Sequence, residues 1–255
     1  MNDAKLQVCV LASGSRGNAV WISDGATTVL VDAGLSGVEI QRRLAACGLD
    51  RPIDAIVVTH EHHDHIQGVG VLSRRHRIPV WASSPTFSAA RLGKLYAQCA
   101  FECGRGFDLG RLRFHPFATS HDAADPAGFV VTCDGIKIGI ATDLGIATGL
   151  VRTQLKACDL LVLEANHDPV MLEQGPYPWP LKQRISGRSG HLSNRDSRCL
   201  LAELQHEGLR HVVLAHLSEV NNTPQTALSE VGQALTCRAR LHVAIQDRPT
   251  PVFGL

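Results

Sequence analysis

Apolar residues fall in short runs along this chain, each closed by polar or turn-forming residues, and the runs alternate with stretches of helical spacing. Val8 to Leu11, Ala19 to Ile22 and Thr28 to Val31 predict three strands. They are joined by the polar loop Ser13-Gly14-Ser15-Arg16-Gly17-Asn18 and the turn Asp24-Gly25. Gly37 to Ala46 predicts a helix, Asp54 to Val58 a strand, Val69 to His76 a helix and Val80 to Ala82 a short strand. Pro85 to Ala97 is expected to be helical, with Ser84 as its cap and Pro85 in the first helical position. Phe107 to Phe117 predicts a turn and a strand broken by Pro116. Phe129 to Cys133 and Ile136 to Ala141 predict a hairpin through Asp134-Gly135. Leu150 to Cys158 reads as a helix and Leu160 to Leu163 as a buried strand. Val170 to Ile185, with Pro176, Pro178 and Pro180, is expected to form an irregular wall or lid. Ser193 caps a predicted helix from Asn194 to Glu207, His211 to Ala215 is a strand, Thr223-Pro224 opens a helix to about Thr236, and Leu241 to Ile245 is the final strand.

No linker, repeat or low-complexity segment divides the pattern, so residues 1–255 are expected to form one α/β domain with sheets inside and helices outside. Apolar residues make up 44% of the chain, enough for a substantial core. The formal charge of +1 gives no global field for nucleic acid, although a local basic groove is compatible with it. Two tyrosines and three tryptophans argue against an extended stacking platform. The eight cysteines sit largely in apolar runs, and Cys99 and Cys103 lack the second pair that a zinc knuckle needs. No secretion signal or membrane-length apolar stretch is visible, so the expectation is a cytoplasmic protein without a membrane partner.

The chemistry concentrates in Thr59-His60-Glu61-His62-His63-Asp64-His65, directly after the strand Ile56-Val57-Val58. Four histidines and two carboxylates in six residues make a poor core segment, because buried charge needs a partner. They make a good cradle for zinc or manganese, which accept imidazole nitrogen and carboxylate oxygen. His60 and His62 can point to one ion, Asp64 and His65 to a second, while His63 is expected to face away. Further polar residues close later apolar strands. His121 would complete the first site, His216 the second, and Asp143 would bridge them. Asp32, at the end of the third strand, is placed to brace the histidine loop.

His60-x-His62-x-Asp64-His65 followed by His121, Asp143 and His216 resembles the dinuclear pattern of the metallo-β-lactamase superfamily. The resemblance covers essentially the whole chain. It is closest to the YycJ/WalJ-like branch, described as DNA exonucleases, through Leu11-Ala12-Ser13-Gly14-Ser15-x-Gly17-Asn18, Asp32-Ala33-Gly34-Leu35-Ser36, Glu164-Ala165-Asn166-His167-Asp168, Gly190-His191-Leu192-Ser193-Asn194 and His216-Leu217-Ser218. Arg16 departs from the small residue common at its position. The resemblance implies a four-layer αββα sandwich of two mixed sheets, two divalent ions, no organic cofactor, and Asp32 as the brace of the metal loop. It implies DNA as substrate, hydrolysed in line by a hydroxide activated between the two metals, without a covalent intermediate. Asp64 is then both ligand and catalytic residue, His167 and His191 contact the scissile phosphate or protonate the leaving oxygen, and Glu164 braces a ligand histidine. Arg184 and Arg188 are candidates for gripping backbone phosphates. Two other readings stay open: a hydrolase of a small cyclic phosphodiester, ester or thioester, and a metal-binding regulatory protein without activity. The sequence leaves the choice of metal, the polarity of digestion and the oligomeric state open.

Overall fold

The computed structural model describes residues 6–255. The chain opens with an antiparallel meander of β1 (Gln7–Ala12), β2 (Ala19–Ser23) and β3 (Thr28–Val31). Helix α1 (Gly37–Ala46) starts where Ser36 accepts a hydrogen bond from the Glu39 amide, and it returns the chain to β4 (Ala55–Val57), parallel to β3. The short α2 (His63–Ile66), α3 (Val69–His76), β5 (Pro79–Ser83), α4 (Ser84–Ala89) and β6 (Ala97–Phe101) follow, each of these strands parallel to the one before.

The rest of the chain repeats the plan. β7 (Phe107–Leu109), β8 (Leu112–Ala118), β9 (Ala127–Cys133) and β10 (Ile136–Ala141) form a second antiparallel meander. After α5 (Gly149–Leu155), β11 (Leu160–Glu164) adds in parallel. Helices α6 (Pro169–Gln174), α7 (Trp179–Ile185) and α8 (Asn194–Leu204) precede β12 (His211–Ala215), and α9 (Pro224–Gly232) precedes β13 (Arg240–Val243). β14 (Phe253–Gly254) returns to pair with β1. Among the described residues this gives two seven-stranded sheets, in the orders β14-β1-β2-β3-β4-β5-β6 and β13-β12-β11-β10-β9-β8-β7.

The strands read as continuous apolar runs because both of their faces are buried. Val8, Val10, Val20, Ile22, Val57, Phe114, Phe129, Ile138, Val162 and Val213 pack between the sheets. Their neighbours point outward: Cys9, Leu11, Trp21, Leu30 and Ile56 pack with Ile40, Leu44 and Leu72 of α1 and α3. On the other sheet Leu161, Leu163, Val212 and Leu214 pack with Leu155, Leu200, Leu204 and Val231 of α5, α8 and α9. The result is a four-layer αββα sandwich. No helix among the described residues is long and apolar enough to cross a membrane.

Three local expectations need correction, and one strand was not expected at all. The helix expected over Pro85 to Ala97 ends at Ala89, its cap is Ser83, and Ala97–Phe101 is instead an edge strand beside β5. Gly93, at φ 67°, lies in the break. Pro116 does not interrupt β8: its carbonyl accepts from Gly104 on the side beyond β7, so its missing N–H falls where no ladder bond is needed. The wall at Val170 to Ile185 is not irregular but two short helices, α6 and α7, each with proline in its first turn. Strand β14 had no signal, since two residues carry no periodicity.

Candidate metal centre

The site lies at one edge of the sandwich, where strands of both sheets end. Three of its residues leave their strands in the left-handed region: Asp32 at φ 60°, Asp143 at φ 57° and His216 at φ 56°. Non-glycine residues avoid this region, and such strain clusters where function holds it. It turns the side chains of β3, β10 and β12 into one space.

His60, His62 and His121 form one group with mutually reachable ligand atoms, and Asp64, His65 and His216 form another. In the first, His62 Nδ1 lies 3.0 Å from His60 Nε2 and 3.2 Å from His121 Nε2. The outer nitrogens fix what the inner ones carry. His121 Nδ1 donates to the Gly190 carbonyl at 3.0 Å. Thr59 Oγ1 donates to Asp32 Oδ2 at 2.8 Å and therefore accepts from His60 Nδ1 at 3.0 Å. The neutral rings of His60 and His121 thus present bare Nε2 lone pairs to His62. Facing lone pairs repel unless a cation sits among them. Imidazole nitrogens about 2.0–2.1 Å from one tetrahedral ion stand about 3.3 Å apart.

The second group is braced from outside. Asp32 Oδ2 accepts from His65 Nδ1 at 2.7 Å, and Glu164 Oε1 accepts from His216 Nδ1 at 3.0 Å. His65 Nε2 and His216 Nε2 then point at Asp64 Oδ2, at 3.5 and 3.3 Å. Asp143 stands between the groups. Its Oδ1 is 3.6 Å from both His121 Nε2 and His216 Nε2, and its Oδ2 is 3.2 Å from His65 Nε2. That Oδ2 is sealed from solvent and makes no well-directed hydrogen bond. A buried carboxylate oxygen without a well-directed hydrogen bond, set among imidazole nitrogens, is the donor set a divalent cation fits.

Electrostatics separate the two groups. Burial pushes the His60 and His121 pKa values down, so these rings are neutral. Burial also opposes the charged forms of His65 and His216, but the charge of Asp143, aided by Asp32 and Asp64 at His65 and by Asp64 and Glu164 at His216, outweighs it and holds both well above the usual histidine range. Asp143 and Asp64 are in turn held low: burial opposes this, and the neighbouring imidazoles prevail. A cation entering the second group must displace protons from these imidazoles.

Several residues that position the cage carried no sequence signal beyond their place in the quoted motifs. Asn18 Nδ2 donates to Asp64 Oδ2 at 3.2 Å, Ser13 Oγ accepts from the His216 amide, and Asn166 Nδ2 donates to the His216 carbonyl. Glu164 does brace His216, and it also accepts from His191 Nδ1 at 2.8 Å, while its other oxygen accepts from the Leu144 and Leu192 amides. Burial raises the Glu164 pKa, but His191 and the hydrogen bonds lower it to about 2. His63 is exposed and belongs to neither group.

A cavity of about 190 Å³ opens over the cage, lined by His62, Asp64, His191 and His216 and walled by Leu181 and Ile185 of α7. His191 faces it, stacked on His216 at a centroid distance of 5.1 Å. Two expectations do not fit, those for His167 and Arg188, and that for Arg184 is met in its position. His167 is 2% exposed and lines a different cavity, so it does not reach a phosphate over the cage. Arg184 is on the rim, but its Nε is paired with Asp122 Oδ2 at 2.6 Å. Arg188 does not line the cavity; its carbonyl accepts from Ser120.

The family described as "Beta-lactamase superfamily domain" matches residues 27–217. Exodeoxyribonuclease YycJ of Bacillus anthracis is 36% identical over 235 residues, covering 90% of this chain and 89% of its own. Exodeoxyribonuclease WalJ of Streptococcus pneumoniae is 36% identical over 234 residues, covering 89% and 87%. Among solved structures, the metallo-β-lactamase fold protein YhfI of Bacillus subtilis superposes with a TM-score of 0.75 at 16% identity, covering 96% of this chain and 98% of its own.

Proposed function

Because the chain belongs to the metallo-β-lactamase superfamily, in the branch of YycJ and WalJ, we propose that it is a two-metal phosphodiesterase acting as a DNA exonuclease. The observation that carries the hydrolytic reading is Asp143, whose two oxygens reach both ligand groups. The two names of relatives at this identity support DNA as the substrate. The mixed histidine and carboxylate donors suit zinc or manganese. His60, His62, His121, Asp64, His65, His216 and Asp143 would hold two such ions, whose chemistry would be to lower the pKa of a water and offset charge on the phosphoryl oxygens.

The chain's own residues supply the rest. Asp143 fixes the separation of the two groups, and Asp32 and Glu164 hold His65 and His216 in single orientations. Asp64 presents a second cage carboxylate to the cavity. His191 is the candidate general acid. Its Nδ1 is committed to Glu164, which leaves Nε2 as the ring nitrogen free for the cavity that His191 lines. Helix α7 walls the cavity on one side.

The test is end-labelled linear duplex DNA against the same DNA as a closed circle, with the metal-loaded protein. The linear form should be shortened from an end while the circle persists. Rapid cutting of the circle would make the protein an endonuclease. Turnover of a cyclic phosphate or thioester, with every nucleic acid inert, would replace the reading with a small-substrate hydrolase.

A further inference from the structure

The loop Ser13-Gly14-Ser15-Arg16-Gly17-Asn18 touches the second ligand group at two points. Ser13 Oγ accepts from the His216 amide at 2.7 Å, at the residue whose left-handed backbone turns its ring into the cage. Asn18 Nδ2 donates to Asp64 Oδ2 at 3.2 Å, and the Asn18 amide donates to the Asp64 carbonyl at 2.8 Å. The two contacts are joined, because Ser13 Oγ donates to Asn18 Oδ1 at 3.1 Å. Among the described residues no hydrogen bond runs from this loop to His60, His62 or His121, the first group.

The β1–β2 ladder stops at Ala12 and Ala19, so it offers the backbone between them no partner. The Arg16 side chain pairs with Glu219 and Asp247, but it is 61% exposed, and water screens such pairs to little. Gln246 is buried, 230 residues from Arg16 in the chain. Its Oε1 accepts from the Arg16 amide at 2.8 Å, and its Nε2 donates to the Gly17 carbonyl at 3.0 Å. A Cβ at Gly14 would stand 2.8 Å from the same oxygen, so glycine there lets the side chain lie against the loop. Gln246 is itself fixed. Its carbonyl accepts from Arg43 Nη1 at 2.8 Å, and the buried Arg43 also donates to the Leu11 carbonyl at 2.9 Å and to Glu39 Oε1 at 2.7 Å. A buried amide bonded at both ends holds its partners in one geometry, and its removal leaves a donor and an acceptor unpaired. We propose that Gln246 is a positioning residue for the second metal ion: it clamps the loop from Ser13 to Asn18, and the loop sets His216 and Asp64. The inference rests on the two-metal reading of the cage.

The experiment titrates the full, metal-stripped chain with zinc and reads the heat of each addition. Wild type should take up two ions. Gln246→Met fills a similar space without either hydrogen bond, and should weaken one ion about tenfold or more while the other keeps its wild-type affinity. The weakened ion should be the one that His216→Ala loses, not the one that His121→Ala loses. Cobalt in place of zinc should show a changed visible absorption for that ion alone. Gln246→Glu keeps the shape and the oxygen for the Arg16 amide but turns a second oxygen on the Gly17 carbonyl. It should act in the same direction, and it decides the matter if Gln246→Met does not fold. Val231→Ala, in the core beneath α9, controls for lost stability: it should melt lower yet bind both ions as wild type does. Two unchanged affinities in a folded Gln246 variant overturn the clamp and leave the two-metal reading standing. Equal weakening of both ions marks a general loosening and overturns it too, as does failure of both variants to fold, which would make Gln246 a determinant of the fold and not of the ion. A single ion in wild type removes the two-metal reading, and the clamp with it.

Discussion

Replacing Asp143 by asparagine is expected to lower kcat/KM for phosphodiester hydrolysis by roughly a thousandfold or more, because the charge that serves both ligand groups is lost while the shape is kept. The two oxygens of Asp143 approach His65, His121 and His216 at 3.2–3.6 Å. The variant should retain the fold by circular dichroism and bind less metal. In the metal-free protein the same carboxylate stabilises the fold. Its pKa is held well below 3.8, so this contribution is present above about 3.8 and is lost as pH falls through the folded-state value. The metal-free variant should therefore melt lower than metal-free wild type at neutral pH. Unchanged kinetics in a folded variant would remove Asp143 from its role.

The second large effect is expected at a residue that offers no ligand atom of its own. A Cβ at Gly34 would stand 1.6 Å from the Asp64 carbonyl oxygen and 2.6 Å from the Asn18 amide nitrogen. Three segments cross there: the Gly34 amide donates to the Asn18 carbonyl, and the Asn18 amide donates to the Asp64 carbonyl. None can yield without moving the loop that carries His60 to His65. Gly34→Ala should lower activity about a hundredfold, as a displacement of about 1 Å at reacting groups does, and should cost about 1–3 kcal/mol of stability from overpacking. Gly149→Ala is the control. No atom lies within 4 Å of a Cβ at Gly149, so melting and turnover should stay at wild-type values. A Gly34→Ala protein with full metal content and full activity would show that the close approach does not fix the site.

The same residues show how much of this was legible in the sequence. The strands carrying the site were readable because both faces are buried, which leaves unbroken apolar runs closed by histidine or carboxylate. The cluster after β4 was readable because so much half-charged chemistry cannot follow a buried strand without a partner. Direction was not readable. Nothing in Asn166-His167 says which side chain faces the cage; the bridge to Ser193 decides it, from 26 residues along the chain. Neutralisation of Arg184 by Asp122 is likewise a pairing across 62 residues. Asp and His tolerate the left-handed backbone better than most side chains, but that weak preference does not single out Asp32, Asp143 and His216, and the surrounding fold imposes it there. The helices α6 and α7 escaped because three prolines suggested broken backbone, whereas Pro169 and Pro180 sit in first turns, where proline needs no donor.

The central claim is that the cage acts as a two-metal hydrolase on DNA. Metal-stripped protein titrated with manganese or zinc, with nucleotide release from end-labelled linear DNA followed at each addition, tests it most directly. Release should rise to a plateau at two equivalents of metal per chain. A plateau at one equivalent, or no release at any metal loading, would contradict the account.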